Sequence, residues 1–265
     1  MIERIILISS LTLIIHAAET LSYAVRMAGI RTGKLAIALS LTGMIVLVSR
    51  TSNIAQGTMT GKIVDLAKKH SGIHLIDYFR IILMAASIGT LLAIALFPSF
   101  VALSSRMVSH LEQAGSIPRM AKKLFRSNLL LNFFYYLRMP KWEMARRLRD
   151  NGMPKRFMLM NCCVTAIYTV GVLAALYASY LPGNFSTGAS QASGLINGLA
   201  TIMLTLLIDP HVALLTDKVL RKEAKLASIN RVFGALMFSR FCGTLLAQII
   251  LLPAAYWIKS IVPYL

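Results

Sequence analysis

Acidic side chains are scarce in this 265-residue chain, with 10 Asp plus Glu against 28 Lys plus Arg and a formal charge of +18. Charge of either sign is also thin, at 14% of residues, where an ordinary soluble domain carries about 25%. With 57% hydrophobic residues there is too little polar surface to cover a soluble body of this size, which excludes a single soluble domain. Cysteine is nearly absent. Cys162, Cys163 and Cys242 form no CxxC and have no His at ligand spacing, so neither a disulfide framework nor a zinc site is expected. They read as small apolar packing residues, and no metal or cofactor is expected.

What the chain does have is long apolar runs. A bilayer-spanning helix needs about 20 mostly apolar residues, and that rule marks six spans: 3–29, 35–61, 76–103, 157–181, 193–215 and 232–258. The first resembles a signal peptide at its start, where Arg4 precedes an apolar run, but it continues through Glu19 and Tyr23 with no convincing cleavage site. A retained helix is the better reading. The expected fold is therefore an all-α polytopic membrane protein.

Basic residues in the connections set orientation, because they resist translocation. Arg26, Arg31 and Lys34 flank the first connection. Twelve Lys and Arg lie between Arg106 and Arg156, and Lys218, Arg221, Lys222, Lys225 and Arg231 flank the fifth connection. The opposite side has Arg4, Lys62, Lys68, Lys69 and Lys259. This places both termini outside and the three basic connections in the cytoplasm. The cluster at Lys62, Lys68 and Lys69 fits least well, being only partly offset by Asp65.

Residues 106–156 form a segment of their own between a first membrane unit, 1–105, and a second, 157–265. Lys122, Lys123, Arg126, Arg138, Arg146, Arg147 and Arg149 alternate there with Leu129 to Leu131, Phe133, Phe134, Tyr135, Tyr136 and Trp142. Basic residues beside aromatics predict cytoplasmic amphipathic helices lying in the interface, broken at Pro140 and ending near Gly152 and Pro154. Anionic membrane lipids are the expected partner. Nucleic acid fits poorly, because the aromatics sit in apolar clusters rather than as separate stacking platforms.

An internal repeat relates the two units. Gly89-Thr90-Leu91-Leu92-Ala93 recurs as Gly243-Thr244-Leu245-Leu246-Ala247, each followed by a proline, Pro98 or Pro253. Ala17-Ala18 and Ser22-Tyr23 match Ala174-Ala175 and Ser179-Tyr180, and Thr60 with Lys62 matches Thr216 with Lys218. An odd number of spans per unit inverts the second copy, which predicts two inverted-topology three-helix repeats, a recurrent transporter architecture. The competing reading is one helix-packing motif used twice, small residues at Gly89 and Gly243 letting helices approach.

Ionisable groups at membrane depth cost about 2.5 to 3.5 kcal/mol each on insertion scales and mark candidate sites. His16, Glu19, Tyr23 and Arg26 follow one another at steps of three, four and three, which puts all four on one helical face. Arg50, Asn53, Gly57 and Thr60 repeat the rhythm on the second span, beside Ser49, Thr51, Ser52 and Gln56. Two polar-faced helices imply a hydrated cavity. The alternative is structural: Glu19 neutralises Arg50, and Asp209, next to Pro210, pairs with Arg240. Asp77 and Arg80 read as interfacial. His16 beside the desolvated Glu19 is a candidate protonation switch, with Asp209 a further candidate for proton or charge coupling.

Two stretches carry a resemblance. Ala18-Glu19-Thr20-Leu21-Ser22-Tyr23-Ala24-Val25-Arg26, followed by Ala38-Leu39-Ser40 and Val46-Leu47-Val48-Ser49-Arg50-Thr51-Ser52-Asn53, is similar to the Amj family of alternative lipid II flippases. The resemblance covers the full length in size and span layout, while the specific motifs lie in the first two helices. It implies a bacterial cytoplasmic membrane protein that moves an undecaprenyl-pyrophosphate-linked peptidoglycan precursor from the inner to the outer leaflet, with no covalent chemistry. It assigns no binding residues. The chemistry of such a substrate suits those singled out above: Arg50, with Arg26 and Arg240, offers bidentate donors to a pyrophosphate, and Asn53, Ser52 and Gln56 can bind sugars. Alternating access through a cationic polar cavity is the expected mechanism.

Two other function classes remain. Ser49-Arg50-Thr51 is similar to the Ser-Arg-Ser of intramembrane undecaprenyl-pyrophosphate phosphatases, but no second carboxylate lies near Glu19 in sequence and the Pro-Gly turn that would expose a nucleophilic serine is missing. A membrane scaffold binding anionic lipid through residues 106–156 would leave Glu19 and Arg50 dispensable.

Overall fold

The computed structural model describes residues 2–70, 72–116, 119 and 154–265, and these are helical throughout apart from short turns. The helices are α1 (Ile2–Thr32), α2 (Leu35–Lys69), α3 (Leu75–Ala114), α4 (Lys155–Tyr180), α5 (Ser186–Met203), α6 (Asp209–Leu220) and α7 (Leu226–Ile261). A π-helical turn, Leu204–Ile208, joins α5 to α6, making a single span of Ser186–Leu220. Six helical segments are thus long and apolar enough to cross a membrane, at the six places marked by the apolar runs. Most of the basic aromatic segment, with its expected interfacial helices, lies outside the described residues.

The helices overrun the apolar runs at their polar ends. α3 continues through Pro98 and a serine-rich, charged stretch to Ala114, where Gly115 in the left-handed conformation (φ 65°) ends it. There Glu112 pairs with Lys34 in the α1–α2 turn, so the extension is tied to the rest of the bundle. Residue 210 explains the π turn. Proline has no N–H to donate and its ring clashes with the carbonyl four residues earlier, so the helix loosens before it.

Each half is organised in the same way. α1 packs along both α2 and α3, and α4 packs along both α5 and α7. Glycine sets the tightest contact in each. A Cβ on Gly89 of α3 would run into the carbonyl oxygen of Leu13 in α1, and one on Gly243 of α7 would lie 2.6 Å from that of Cys162 in α4. The registers differ, however: the Ala17-Ala18 to Ala174-Ala175 match would align Leu13 with Val170, about two turns beyond Cys162.

Two apolar cores lie at the two ends of the bundle. One gathers Ile5, Ile8, Ile63, Phe79, Leu173 and Leu251, and the other Tyr23, Met27, Phe97, Phe157, Phe233 and Leu236. Following α1, α4 or α7 from one core to the other crosses a middle layer that is buried but polar, including His16, Glu19, Tyr168 and Arg240. α2 and the α5–α6 span are the least buried of the six.

Candidate functional site

Glu19 is the hub of the middle layer. It sits past the midpoint of α1, 9% exposed, where four spans converge. Its Oε2 forms an ion pair with Arg240 of α7. Its Oε1 accepts hydrogen bonds from Ser49 Oγ of α2 at 2.8 Å and from Tyr168 OH of α4 at 2.9 Å. A desolvated carboxylate is thereby held by one cation and two neutral donors, the arrangement a buried charge requires. Arg240 is less well satisfied, because its buried Nε has no partner among the described residues.

The charge pairing differs from both expected pairs. Glu19 takes Arg240 rather than Arg50, and Asp209 takes Arg26, at 3.2 Å, rather than Arg240. Helical geometry gives the reason: one residue is a 100° rotation, so α2 turns Ser49 to Glu19 and Arg50 away from it. Both pairs join α1 to the second half, with the acid on α1 in one and the base on α1 in the other. Tyr23 likewise does not serve Glu19; its ring packs on Phe233 with centroids 5.6 Å apart.

Beyond Glu19 the polar layer continues to a chamber of about 20 Å³, bordered by Thr12, His16, Asn53, Gln56, Tyr168 and Thr169. Gln56 Nε2 donates to Thr12 Oγ1 at 2.7 Å. His16 is 4% exposed and its Nδ1 has no partner among the described residues. The chamber has the size and polar lining of a site for one water molecule.

A larger groove of about 640 Å³ lies between α2 and α5, with α4 as its floor. The α2 and α5 backbones do not pack against one another, so the groove is open on the side between them. Arg50, Asn53, Gly57 and Gly61 line it from α2, Tyr168, Val172 and Leu176 from α4, and Ser190, Gln191 and Asn197 from α5. Arg50 reaches across it to donate to Thr201 Oγ1 of α5 at 3.0 Å. The wall holding Asn53, Tyr168 and Val172 is shared with the chamber.

The candidate residues therefore fall into separate groups. Arg50 and Asn53 line the groove, while Gln56 faces the interior and Ser52 is not part of the lining. Arg240 and Glu19 form the central pair and Arg26 with Asp209 a second one nearer the end that carries Arg31 and Lys34. Asp77 and Arg80 are exposed. Ser49 is 2% exposed and directed at Glu19, a position unlike that of a nucleophile open to substrate. Sequence reasoning missed Tyr168, Asn197 and Thr201. Only polar residues interrupting apolar spans marked them, Tyr168 by its place midway along the span 157–181.

Residues 11–262 match the family model described as Amj, alternate to MurJ. A Bacillus subtilis (strain 168) protein named lipid II flippase Amj is 40% identical over 256 residues, spanning 96% of this chain and 95% of the relative. No solved structure matches. Both matches run through all six spans, and the chain belongs to the Amj family.

Proposed function

We propose that the protein is a lipid flippase of the bacterial cytoplasmic membrane, a transporter rather than an enzyme, moving an undecaprenyl-pyrophosphate-linked peptidoglycan precursor from the inner to the outer leaflet. The 40% identical relative named lipid II flippase supports the substrate class. The observation that carries the mechanism is the lateral groove, in which Arg50, Asn53, Gln191 and Asn197 stand among apolar residues such as Ile54, Val172 and Leu176. Such a substrate has an apolar tail that stays in the bilayer and an anionic, sugar-bearing head that must cross. In this reading the tail remains outside the groove, Arg50 binds the pyrophosphate, and Asn53, Asn197 and Ser190 bind sugar hydroxyls.

The groove is within the usual range of small-molecule sites, about 300 to 1,000 Å³, so it receives the pyrophosphate and the first sugar, and must widen for the rest. The unpacked α2 and α5 allow that widening. Alternating access then separates the halves around the central layer. In this reading the halves are inverted three-helix repeats, the termini lie outside, and the basic segment 106–156 gathers anionic lipid on the cytoplasmic face, each Lys or Arg contributing about 1 kcal/mol. Glu19, His16 and Asp209 are the groups placed to couple charge movement to the cycle, and Arg26 and Arg240 hold the acids in the resting state.

The test is transport of a labelled lipid-linked precursor in proteoliposomes. The unsubstituted protein accelerates its appearance in the opposite leaflet, and Arg50→Ala abolishes this while leaving the fold intact. Undiminished transport by Arg50→Ala removes the pyrophosphate role. No acceleration by the unsubstituted protein returns the scaffold reading.

A further inference from the structure

We infer that Tyr168 is the residue through which occupancy of the groove is transmitted to the Glu19–Arg240 pair, a positioning role resting on the flippase reading above. Tyr168 is the one side chain that both borders the groove and bonds to Glu19 among the described residues. It also borders the inner chamber, so the residue lies at the junction of all three features.

The two hydrogen bonds to Glu19 Oε1 have different surroundings. Ser49 is buried away from the groove and has no ligand to respond to. Tyr168 shares the groove with Arg50, the cation that would hold a phosphate. A phosphate oxygen arriving there is an anionic acceptor, and it competes with Glu19 for the phenolic proton. When the Tyr168 hydroxyl turns to the ligand, Oε1 keeps Ser49 alone and loses its bond to the second half. One of the two ties from Glu19 to that half is then gone, the other being Arg240. The groove walls are thereby freed to move when substrate is present and held when it is absent. No bond to the ligand needs to form or break covalently, and no proton leaves the tyrosine.

The experiment uses the full chain with Cys162, Cys163 and Cys242 replaced by Ala and spin labels at Val48→Cys and Leu199→Cys. These lipid-exposed positions lie on α2 and α5 outside the groove lining. A polyprenyl-pyrophosphate-linked disaccharide-peptide is the probe, with binding, interlabel distance and transport measured together. In the otherwise unsubstituted labelled protein, binding shifts the distance distribution. Tyr168→Phe removes this tie with or without ligand, so it is expected to bind the probe within threefold of that affinity, to show the parent's ligand-bound distribution before the probe is added, to shift no further on binding, and to lose transport at least tenfold. Ser49→Ala removes the other donor to the same oxygen and is expected to retain the shift. A shift in Tyr168→Phe equal to that of the parent overturns the inference, as does equal loss of the shift in Ser49→Ala or binding to the parent with no shift. If the parent does not bind the probe, the flippase reading fails first and this inference falls with it.

Discussion

Glu19 and Arg240 are paired across the boundary between the two halves, with their side chains about a tenth exposed. Removing one member leaves the other as an uncompensated buried charge, which costs about 3 to 5 kcal/mol, whereas replacing both with apolar residues of similar volume is close to neutral. Arg240→Met is therefore expected to lower thermal stability in detergent sharply, and Glu19→Leu combined with Arg240→Met to recover most of it. A double variant as unstable as the single one would show that the pair does not act as a unit.

The Arg26–Asp209 pair should behave differently. Its side chains are 23% and 47% exposed, and pairs in such settings contribute about 1 kcal/mol or less. Neither Arg26→Asp nor Asp209→Arg is expected to unfold the protein, but each places like charges together beside the π turn. Transport should fall in each single variant and return in the charge-swapped double. A double variant as inactive as the singles would assign these side chains separate roles.

Backbone proximity separates the glycines. Ala at Gly89 must displace the α1 backbone at Leu13, and Ala at Gly243 that of α4 at Cys162, so each is expected to destabilise by about 1 to 3 kcal/mol as overpacking does. Gly194 on the groove rim has open space where a Cβ would go, so Gly194→Ala should leave the melting temperature unchanged. Equal melting shifts for the three would contradict the packing.

Sidedness is open to labelling. With Cys162, Cys163 and Cys242 replaced, Asn184→Cys is expected to react with an impermeant thiol reagent added to intact cells, and Lys222→Cys only after lysis. The reverse pattern would invert the proposed orientation of the charged connections.

The spans were legible because burial in lipid demands unbroken apolar runs, and all six emerge where those runs lie. The end of α3 was not, since Arg106, His110 and Glu112 read as loop although the helix continues through them to Gly115. Polar depth was legible too: Glu19, Arg50, Asn53 and Arg240 all fall in the central part of the bundle. Partner choice was not. It depends on which side of α2 faces α1, and a single residue of rotation exchanges Ser49 for Arg50. Tyr168 escaped because its place in the site comes from its bond to Glu19 and from the cavities it lines with Asn53, both more than a hundred residues away in the chain.

Because the α2 and α5 backbones do not pack together and are linked only through side chains such as Arg50 and Thr201, the groove has protein on three sides and, in the proposed reading, hydrocarbon on the fourth. In that reading the bilayer is a working part of the transporter: acyl chains part for a headgroup to enter and reseal behind it. Such a route predicts that chain order and thickness of the surrounding membrane act directly on the turnover rate, and that a detergent micelle, lacking that fourth wall, makes a different machine.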